Sequence, residues 1–304
     1  MPHGGTSLAR DERSETGRRI QHPPAVVFSR LEPSLLDESS LARALLQAAI
    51  ARLADAGVPV VAASRGTRAE IELLRAELGL ADPFIAENGA AVFVPRGYFP
   101  FTLPASGIRS GYHSFERSIA HDAVVRALRR AANQARVSVV GFSDMSISEV
   151  ARECGISLLQ ARLAKLREYD EPFRVVDHEA AARARLLKTL RGAGLQVWTD
   201  TRFDHVAGSA DMAACVALLR SLYARRGRLV AVGVGATEAD LEFLRRVDVP
   251  VLVPERAARP PAALLRAVPG ARVARLPGVE GWVEAIEEAL QRVALARGAR
   301  AVIH

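Results

Sequence analysis

Val58-Pro59-Val60-Val61-Ala62-Ala63, followed by Ser64-Arg65-Gly66-Thr67-Arg68, is the stretch of sequence that decides the fold. A short apolar run bounded by polar residues predicts a strand that is buried on both faces. Helical spacing of apolar residues then covers 67–78 and ends at a glycine, the usual C-terminal cap. Residues 25–28 and 41–56 show the same order of apolar strand and helix ahead of it. Strands that alternate with helices predict βαβ units and a parallel sheet.

The strand–helix alternation breaks after Pro104 and resumes at Asp211. The segments between them predict a long helix at 115–136, strands at 137–142 and 173–176, shorter helices, and a hairpin at 195–198 and 203–206. We therefore predict an α/β fold, a Rossmann-like doubly wound parallel sheet with an inserted α+β domain. The expected divisions are a flexible tail (1–24), a first core part (25–108), the insert (109–207) and a second core part (208–304).

Composition excludes several classes of protein. The 304 residues are 49% hydrophobic and 25% charged, which excludes a disordered or fibrous chain. No apolar run approaches the roughly 18 residues of a membrane helix, and residues 1–24 lack the apolar segment of a secretory signal. The net charge of +7 comes almost entirely from arginines spread along predicted helices, so we expect no nucleic-acid partner. Cys154 and Cys215 lie far apart, which favours a reducing cytoplasm.

The residues that directly follow the buried strands are the candidate functional residues, because ligands of doubly wound sheets bind at the carboxyl ends of the strands. These positions, and the start of the helix that follows the insert, carry Arg30, Glu32, Ser64, Thr67, Arg68, Met212, Ala236 and Asp240.

Several longer runs carry a resemblance to a known family. They are Asp82-Pro83-Phe84-Ile85-Ala86-Glu87-Asn88-Gly89, Gly141-Phe142-Ser143-Asp144-Met145 and Arg167-Glu168-Tyr169-Asp170-Glu171-Pro172-Phe173. With these runs the chain resembles the mannosyl-3-phosphoglycerate phosphatase family of the haloacid dehalogenase-like (HAD) superfamily. The resemblance covers roughly residues 25–290. It implies a core, a cap domain that closes over the substrate, and Mg²⁺-dependent removal of phosphate from a glycosylated phosphoglycerate.

The resemblance also implies a set of catalytic groups, and this sequence departs from most of them. Arg30 stands at the position of the nucleophilic Asp and Glu32 at that of the acid/base Asp, with Pro33 and Ser34 just beyond. Ser64 keeps the phosphate-holding hydroxyl. Met212 replaces the Lys, Ala236 replaces the first metal-binding acid, and Asp240 remains. An arginine is always protonated and cannot attack phosphorus, so we expect no catalytic residue, no metal site and no cofactor.

Each candidate has two interpretations. Arg30 is either an anion receptor or an internal ion-pair partner of Glu32 or Asp240. Ser64, Thr67 and Arg68 either bind an anion at a helix N-terminus or only cap that helix. In the insert, the residues expected to meet a sugar or glycerate, or else to act at the surface or hinge, are Asp144, Arg167, Glu168, Asp170 and His205.

Three functions remain open at this point. The first is an inactive relative that binds a phosphorylated or acidic sugar compound or regulates a protein partner. The second is an active phosphatase of the family. The third is a structural subunit with an unused cleft.

Overall fold

The structure, a computed structural model, describes residues 25–32, 39–176, 180–200, 202–254, 260 and 262–301, with side chains of the last helix up to residue 291. The tail expected at 1–24 and the positions Pro33 and Ser34 lie outside the described residues. None of the described helices combines the length and the apolar character that crossing a membrane requires.

The described residues form two sheets. In chain order, the strands are β1 (Ala25–Arg30), β2 (Val60–Ala63), β3 (Phe84–Ala86), β4 (Ala91–Pro95), β5 (Gly107–Arg109), β6 (Tyr112–Glu116), β7 (Val139–Gly141), β8 (Asp170–Val175), β9 (Gln196–Thr199), β10 (Asp204–Ala207), β11 (Val230–Gly235), β12 (Val249–Leu252) and β13 (Arg272–Val273). The helices are α1 (Ser40–Asp55), α2 (Arg68–Leu78), α3 (His121–Ala135), α4 (Ile147–Cys154), α5 (Leu158–Ala164), α6 (Ala180–Gly192), α7 (Met212–Ala224), α8 (Leu241–Leu244), α9 (Ala262–Ala267) and α10 (Gly278–Ala301).

The larger sheet, with the order β13-β12-β11-β1-β2-β3-β4-β6-β5, is the core. Its strands are parallel from β13 to β3, whereas β4, β6 and β5 are antiparallel. Alternate residues of β1 enter opposite layers: Ala25 and Val27 pack with α1, α2 and α10, and Val26 and Phe28 pack with α7, α8 and α9. Helices therefore cover both faces, and the predicted doubly wound core is confirmed.

The smaller sheet, with the order β7-β8-β10-β9, is antiparallel. Apolar residues of α3 and α6 pack on it, and α4 and α5 enclose a second small cluster around Phe142 and Phe203. We call this inserted α+β domain, from α3 to β10, the cap. The hairpin expected at 195–198 and 203–206 is present as β9 and β10.

The structure corrects the expected start of the insert. The helix predicted at 115–136 begins only at His121, because Tyr112–Glu116 forms β6 and pairs with β4. Phe115 lies opposite Val92 and packs against the core rather than on a helix face. The boundary expected at residue 109 falls inside β5, since β5 and β6 both belong to the larger sheet.

Gly89 fixes the contact between the loop after β3 and the start of α7. Its φ is +92°, and an added Cβ atom would lie 2.4 Å from the backbone nitrogen of Met212. Its carbonyl oxygen accepts a hydrogen bond from the backbone N–H of Asp211 at 3.1 Å. Only a glycine combines this φ with this close backbone approach.

We expect Gly89→Ala to lower the free energy of unfolding by about 3 kcal/mol, since it adds an overpacking penalty to the cost of a left-handed conformation. The control is Gly79→Ala, which has a φ of +71° and no atom within 4 Å of the added Cβ. This control isolates the conformational cost of about 1 kcal/mol. Urea denaturation measures both values, and equal losses would contradict the close approach at Gly89.

Candidate functional site

The candidate functional residues of the core lie at the carboxyl ends of three neighbouring strands. Arg30 ends β1, Ser64 directly follows β2, and Asp240 lies in a short 3₁₀ helix soon after β11. β1 pairs in parallel with both β2 and β11, so these three chain segments reach the same edge of the sheet. This edge is the floor of the site.

A buried ion pair joins β1 to the loop after β11. The Nε of Arg30 donates to Oδ1 of Asp240 at 2.7 Å, and Nη2 lies 2.6 Å from the same oxygen. Nη1 lies 3.5 Å from Oε1 of Glu32. The Arg30 side chain is 10% exposed and that of Asp240 is 1% exposed. Burial lowers the pKa of Arg30, but Asp240 and Glu32 outweigh it and raise that pKa, so the guanidinium stays charged.

Backbone donors fix the second oxygen of Asp240. Its Oδ2 accepts hydrogen bonds from the N–H groups of Ala236 at 2.8 Å and Thr237 at 2.9 Å, and from the Thr237 hydroxyl at 3.2 Å. Both oxygens of this carboxylate are therefore engaged within the protein.

Glu32 accepts hydrogen bonds from the polar groups on the other side of Arg30. Its Oε2 accepts a hydrogen bond from the Ser64 hydroxyl at 2.8 Å and from the Arg65 backbone N–H at 3.3 Å. Its Oε1 accepts from the Nε of Arg65 at 3.3 Å. Ser64 Oγ also accepts from the Gly66 N–H at 3.0 Å. Arg30, Glu32, Ser64 and Asp240 thus form one connected network, which matches the ion-pair interpretation of Arg30.

The floor does not fit a Mg²⁺ ion, which HAD phosphatases generally require. Mg²⁺ needs octahedral coordination by oxygen atoms at about 2.1 Å. Here the Arg30 guanidinium lies between the two carboxylates, and Ala236 contributes only a backbone N–H. Among the described residues, no three acidic, His or Cys side chains come together in a way that holds a metal.

Thr67 and Arg68 do not join this network. The Thr67 hydroxyl donates to the backbone carbonyl of Leu163 in the cap at 3.0 Å and accepts from the Glu70 N–H, which caps α2. The Nε of Arg68 donates to Glu168 of the cap at 2.8 Å. The expected anion site of Arg30, Ser64, Thr67 and Arg68 is thus divided: the first two lie on the floor, and the last two hold the cap.

Met212 also lies away from the floor network. Its side chain is buried among apolar residues, including Phe28, Cys215 and Val216, on the α7 side of the sheet. It packs as an ordinary first residue of a helix.

On the cap side, a buried network surrounds His205. Its Nδ1 lies 3.0 Å from Oδ2 of Asp170, and its Nε2 lies 3.0 Å from Oδ2 of Asp200. The indole of Trp198 stacks on the imidazole, with 5.2 Å between ring centroids. Arg167 donates from Nη1 to Asp170 at 2.7 Å and to the carbonyl oxygen of Arg65 at 3.0 Å, so it links the cap network to the core.

Burial and charge shift the pKa values in this network. Burial lowers the pKa of His205, but the hydrogen bonds to Asp170 and Asp200 outweigh it and raise that pKa above its usual 6.5. Burial raises the pKa of Asp170, yet Arg167 and His205 outweigh this and hold it well below its usual range. The network therefore favours a charged imidazolium between two carboxylates.

Glu87 joins the core to the cap, a role that the sequence did not identify. Its carboxylate accepts three backbone N–H groups at the entry to β8: Glu168 at 2.8 Å, Tyr169 at 2.8 Å and Asp170 at 2.9 Å. Glu87 has a φ of +46° and is 1% exposed. Burial and the nearby Asp170 carboxylate raise its pKa well above the usual range. The Glu87-Asn88-Gly89 run was visible in the sequence, but its role depends on contacts 81 to 83 residues away.

Asp144 lies apart from the other expected cap contacts. Its carboxylate pairs with Arg129 at 2.9 Å and accepts the Gly141 N–H at 3.0 Å. It does not line the cavity between core and cap. The expectation that it meets a ligand together with Arg167 and His205 is therefore not supported by its position.

A cavity of about 260 Å³ separates the floor from the cap network. Its lining residues come from both domains: Glu32, Arg65, Gly66, Glu70, Ile156, Gln160, Arg167, Trp198, Asp200 and His205. The cavity wall carries charged groups of both signs, and Trp198 and Ile156 contribute apolar surface.

Comparison with known proteins gives sequence relatives and fold relatives. No family model matches the chain. A glucosyl-3-phosphoglycerate/mannosyl-3-phosphoglycerate phosphatase of Methanococcoides burtonii is 30% identical over 229 residues, 75% of this chain and 84% of that protein. A protein of the same name from Persephonella marina is 28% identical over 271 residues, 88% and 98% of the two chains. A haloacid dehalogenase-like hydrolase from Bacteroides thetaiotaomicron has a similar fold, with a TM-score of 0.58, 14% identity, and coverage of 88% and 99%.

We expect Asp240→Ala to lower the free energy of unfolding by about 3–5 kcal/mol, because it leaves the buried Arg30 charge without its main partner. The control is Glu287→Ala, which breaks an ion pair with Arg52 whose side chains are both more than half exposed. Such surface pairs contribute about 1 kcal/mol or less. Chemical denaturation measures both, and an Asp240 effect as small as the control would contradict a stabilising buried pair.

The His205 network gives a pH-dependent prediction. A raised pKa in the folded state stabilises the protein at pH values below 6.5, and this contribution disappears as the pH rises through the raised pKa. We expect His205→Gln to be destabilising by about 2 kcal/mol near pH 5.5 and by clearly less near pH 9. His113→Gln is the control, since the described partner of His113 is the Ser106 hydroxyl. A His205→Gln effect that grows with pH would contradict a charged imidazolium.

Proposed function

We propose that this chain, which belongs to the mannosyl-3-phosphoglycerate phosphatase family of the HAD superfamily, is a non-catalytic member that binds a phosphorylated or acidic sugar compound between core and cap. The observation that carries the proposal is the Arg30 guanidinium at the end of β1, hydrogen-bonded to Asp240. The sequence similarity accounts for the fold and the cleft, and the floor of the cleft departs from what a phosphatase needs.

Among the residues that the structure describes, neither carboxylate of the floor is free to act as a nucleophile. Phosphatases that form an aspartyl-phosphate need an unencumbered carboxylate facing the phosphorus atom. Both oxygens of Asp240 are engaged by Arg30 and by backbone N–H groups. Glu32 is engaged by Ser64 and Arg65. Arg30 itself stays protonated and has no lone pair to donate.

The cavity supports binding of a small polar ligand. Its volume of about 260 Å³ suits a molecule of roughly monosaccharide size. Arg65, Arg167 and His205 supply positive charge for a phosphate or carboxylate, and Gln160 and Asp200 supply groups for hydroxyls. Arg167 is 9% exposed, and its Nε makes no hydrogen bond to any described residue. A buried donor of this kind is stabilised when a ligand supplies an acceptor.

An active phosphatase is the second candidate, because the similar proteins carry that name. It would require a nucleophile outside the network described above. A structural subunit with an empty cleft is the third. We also propose a cytoplasmic location, which the two unpaired cysteines, Cys154 and Cys215, support.

Turnover separates the first two candidates. We expect no release of phosphate from mannosyl-3-phosphoglycerate or glucosyl-3-phosphoglycerate with Mg²⁺ present, because the described part of the floor offers neither a free carboxylate nor a metal site. Phosphate release is measured beside an active relative as a positive control. Turnover that survives repurification would establish the active phosphatase and exclude the non-catalytic function.

Ligand binding separates the first candidate from the third. With EDTA present, we expect these two compounds to stabilise the protein against unfolding, by about 2.7 kcal/mol at one hundred times the dissociation constant. Arg65→Ala removes a positive charge from the cavity wall, so we expect it to raise the dissociation constant of either compound about tenfold. Arg220→Ala, which breaks an ion pair with Asp248 on the surface, is the control and leaves binding unchanged. No stabilisation by either compound, with any variant, would favour the structural subunit.

A further inference from the structure

We propose that Glu32 is a built-in substitute for an oxyanion: its carboxylate occupies the floor of the cleft and prevents a phosphate group from binding there. The inference rests on the proposed non-catalytic function, and it adds which chemical group of the ligand faces the floor of the cleft. The residues around Glu32 form an anion site, and the Glu32 side chain itself fills that site.

The donors around Glu32 form the set that holds a free oxyanion. A hydroxyl (Ser64), a backbone N–H (Arg65) and a guanidinium Nε (Arg65) lie 2.8 to 3.3 Å from its two carboxylate oxygens. A second guanidinium, that of Arg30, approaches to 3.5 Å. Hydroxyls, backbone N–H groups and guanidinium groups that converge on one point bind phosphate and carboxylate ligands in proteins. Here all of them converge on a side chain of the same protein.

Arg30 provides the independent sign that this position takes an anion. Its side chain is nine-tenths buried, yet Nη1 and Nη2 make no well-aligned hydrogen bond to any described residue. Nη2 lies 2.6 Å from Oδ1 of Asp240, whereas Nη1 has only the Glu32 carboxylate at 3.5 Å, which serves it through charge alone. A buried guanidinium with unused N–H groups is stabilised by a closer oxyanion.

The charge balance supports the same conclusion. The guanidinium groups of Arg30 and Arg65 balance the carboxylates of Glu32 and Asp240. Removing the Glu32 carboxylate leaves one uncompensated positive charge beside the freed Ser64 hydroxyl. Because Glu32 is 19% exposed and lines the cavity, a small anion from solution reaches the vacated position.

The Glu32 carboxylate also determines which group of a ligand faces the floor. In the natural protein, the group that faces the floor meets a carboxylate, so it is a hydroxyl or another hydrogen-bond donor. The acidic group of the ligand then lies on the cap side of the cavity, where Arg167 and His205 supply positive charge. Glu32 thereby sets the orientation of the ligand in the cleft.

The test is binding of inorganic phosphate, measured by isothermal titration calorimetry with EDTA present. We expect Glu32→Ala to bind phosphate at least about tenfold more tightly than the natural protein, as hydrogen bonds to a charged group predict. The double variant Glu32→Ala/Arg30→Ala loses this gain. Asp144→Asn is the matched control, since it removes one negative charge from a carboxylate that does not line the cavity, retains an oxygen for the Gly141 N–H group, and gains no phosphate binding.

Equal phosphate affinity in the natural protein and in folded Glu32→Ala would overturn the inference. So would an equal gain in Asp144→Asn, because the effect would then be one of net charge alone. If Glu32→Ala does not unfold cooperatively, Glu32→Gln replaces it, keeps the side-chain volume and is held to the same comparison. Phosphate binding by the variant does not depend on whether the natural protein binds a glycosyl phosphoglycerate, so failure of the inference and of the proposed function are distinguishable.

Discussion

The Arg30 guanidinium, held between Asp240 and Glu32, is the interaction on which the floor of the cleft depends. It connects β1 to the loop after β11, and through Glu32 it reaches Ser64 after β2. Without Arg30, the carboxylates of Glu32 and Asp240 would lie near each other with no cation between them. A fixed internal cation removes that repulsion and needs no ion from solution. With Arg65, which also pairs with Glu32, the charges of the floor balance, as the proposed function requires.

Many of the polar contacts that attach the cap meet one short segment, residues 167–170. Glu87 holds the backbone N–H groups of residues 168–170, while Arg68 and Arg109 hold the Glu168 side chain. Arg167, which directly precedes residues 168–170, donates hydrogen bonds to the Arg65 carbonyl oxygen and to Asp170. The segment that carries the cap to the core therefore also orients the cations of the cavity. Cap position and the orientation of these cations depend on the same residues.

Much of the fold follows from local sequence, and most of the site does not. The apolar runs of β1 and β2 and the capped helix α2 predicted the doubly wound core, because a strand buried on both faces leaves few alternatives. Phe115 was assigned to a helix, since its partner Val92 in β4 is distant in sequence and its own neighbours have helical spacing. The sequence placed Arg30 near Asp240 but did not decide between a free receptor and an ion pair, because that depends on side-chain geometry. For the same reason, the sequence did not show that Glu87 binds the cap, or that Ser64 lies on the floor while Arg68 contacts the cap.

Titration with Mn²⁺, followed by the electron paramagnetic resonance signal of the free ion, tests the central claim most directly. Because the guanidinium occupies the space between Glu32 and Asp240, we predict that the natural protein leaves the signal unchanged. The single variant Arg30→Asp, which replaces that cation by a third carboxylate, should reduce the signal at equimolar Mn²⁺. A tight Mn²⁺ site in the natural protein that disappears in Asp240→Ala would contradict the account.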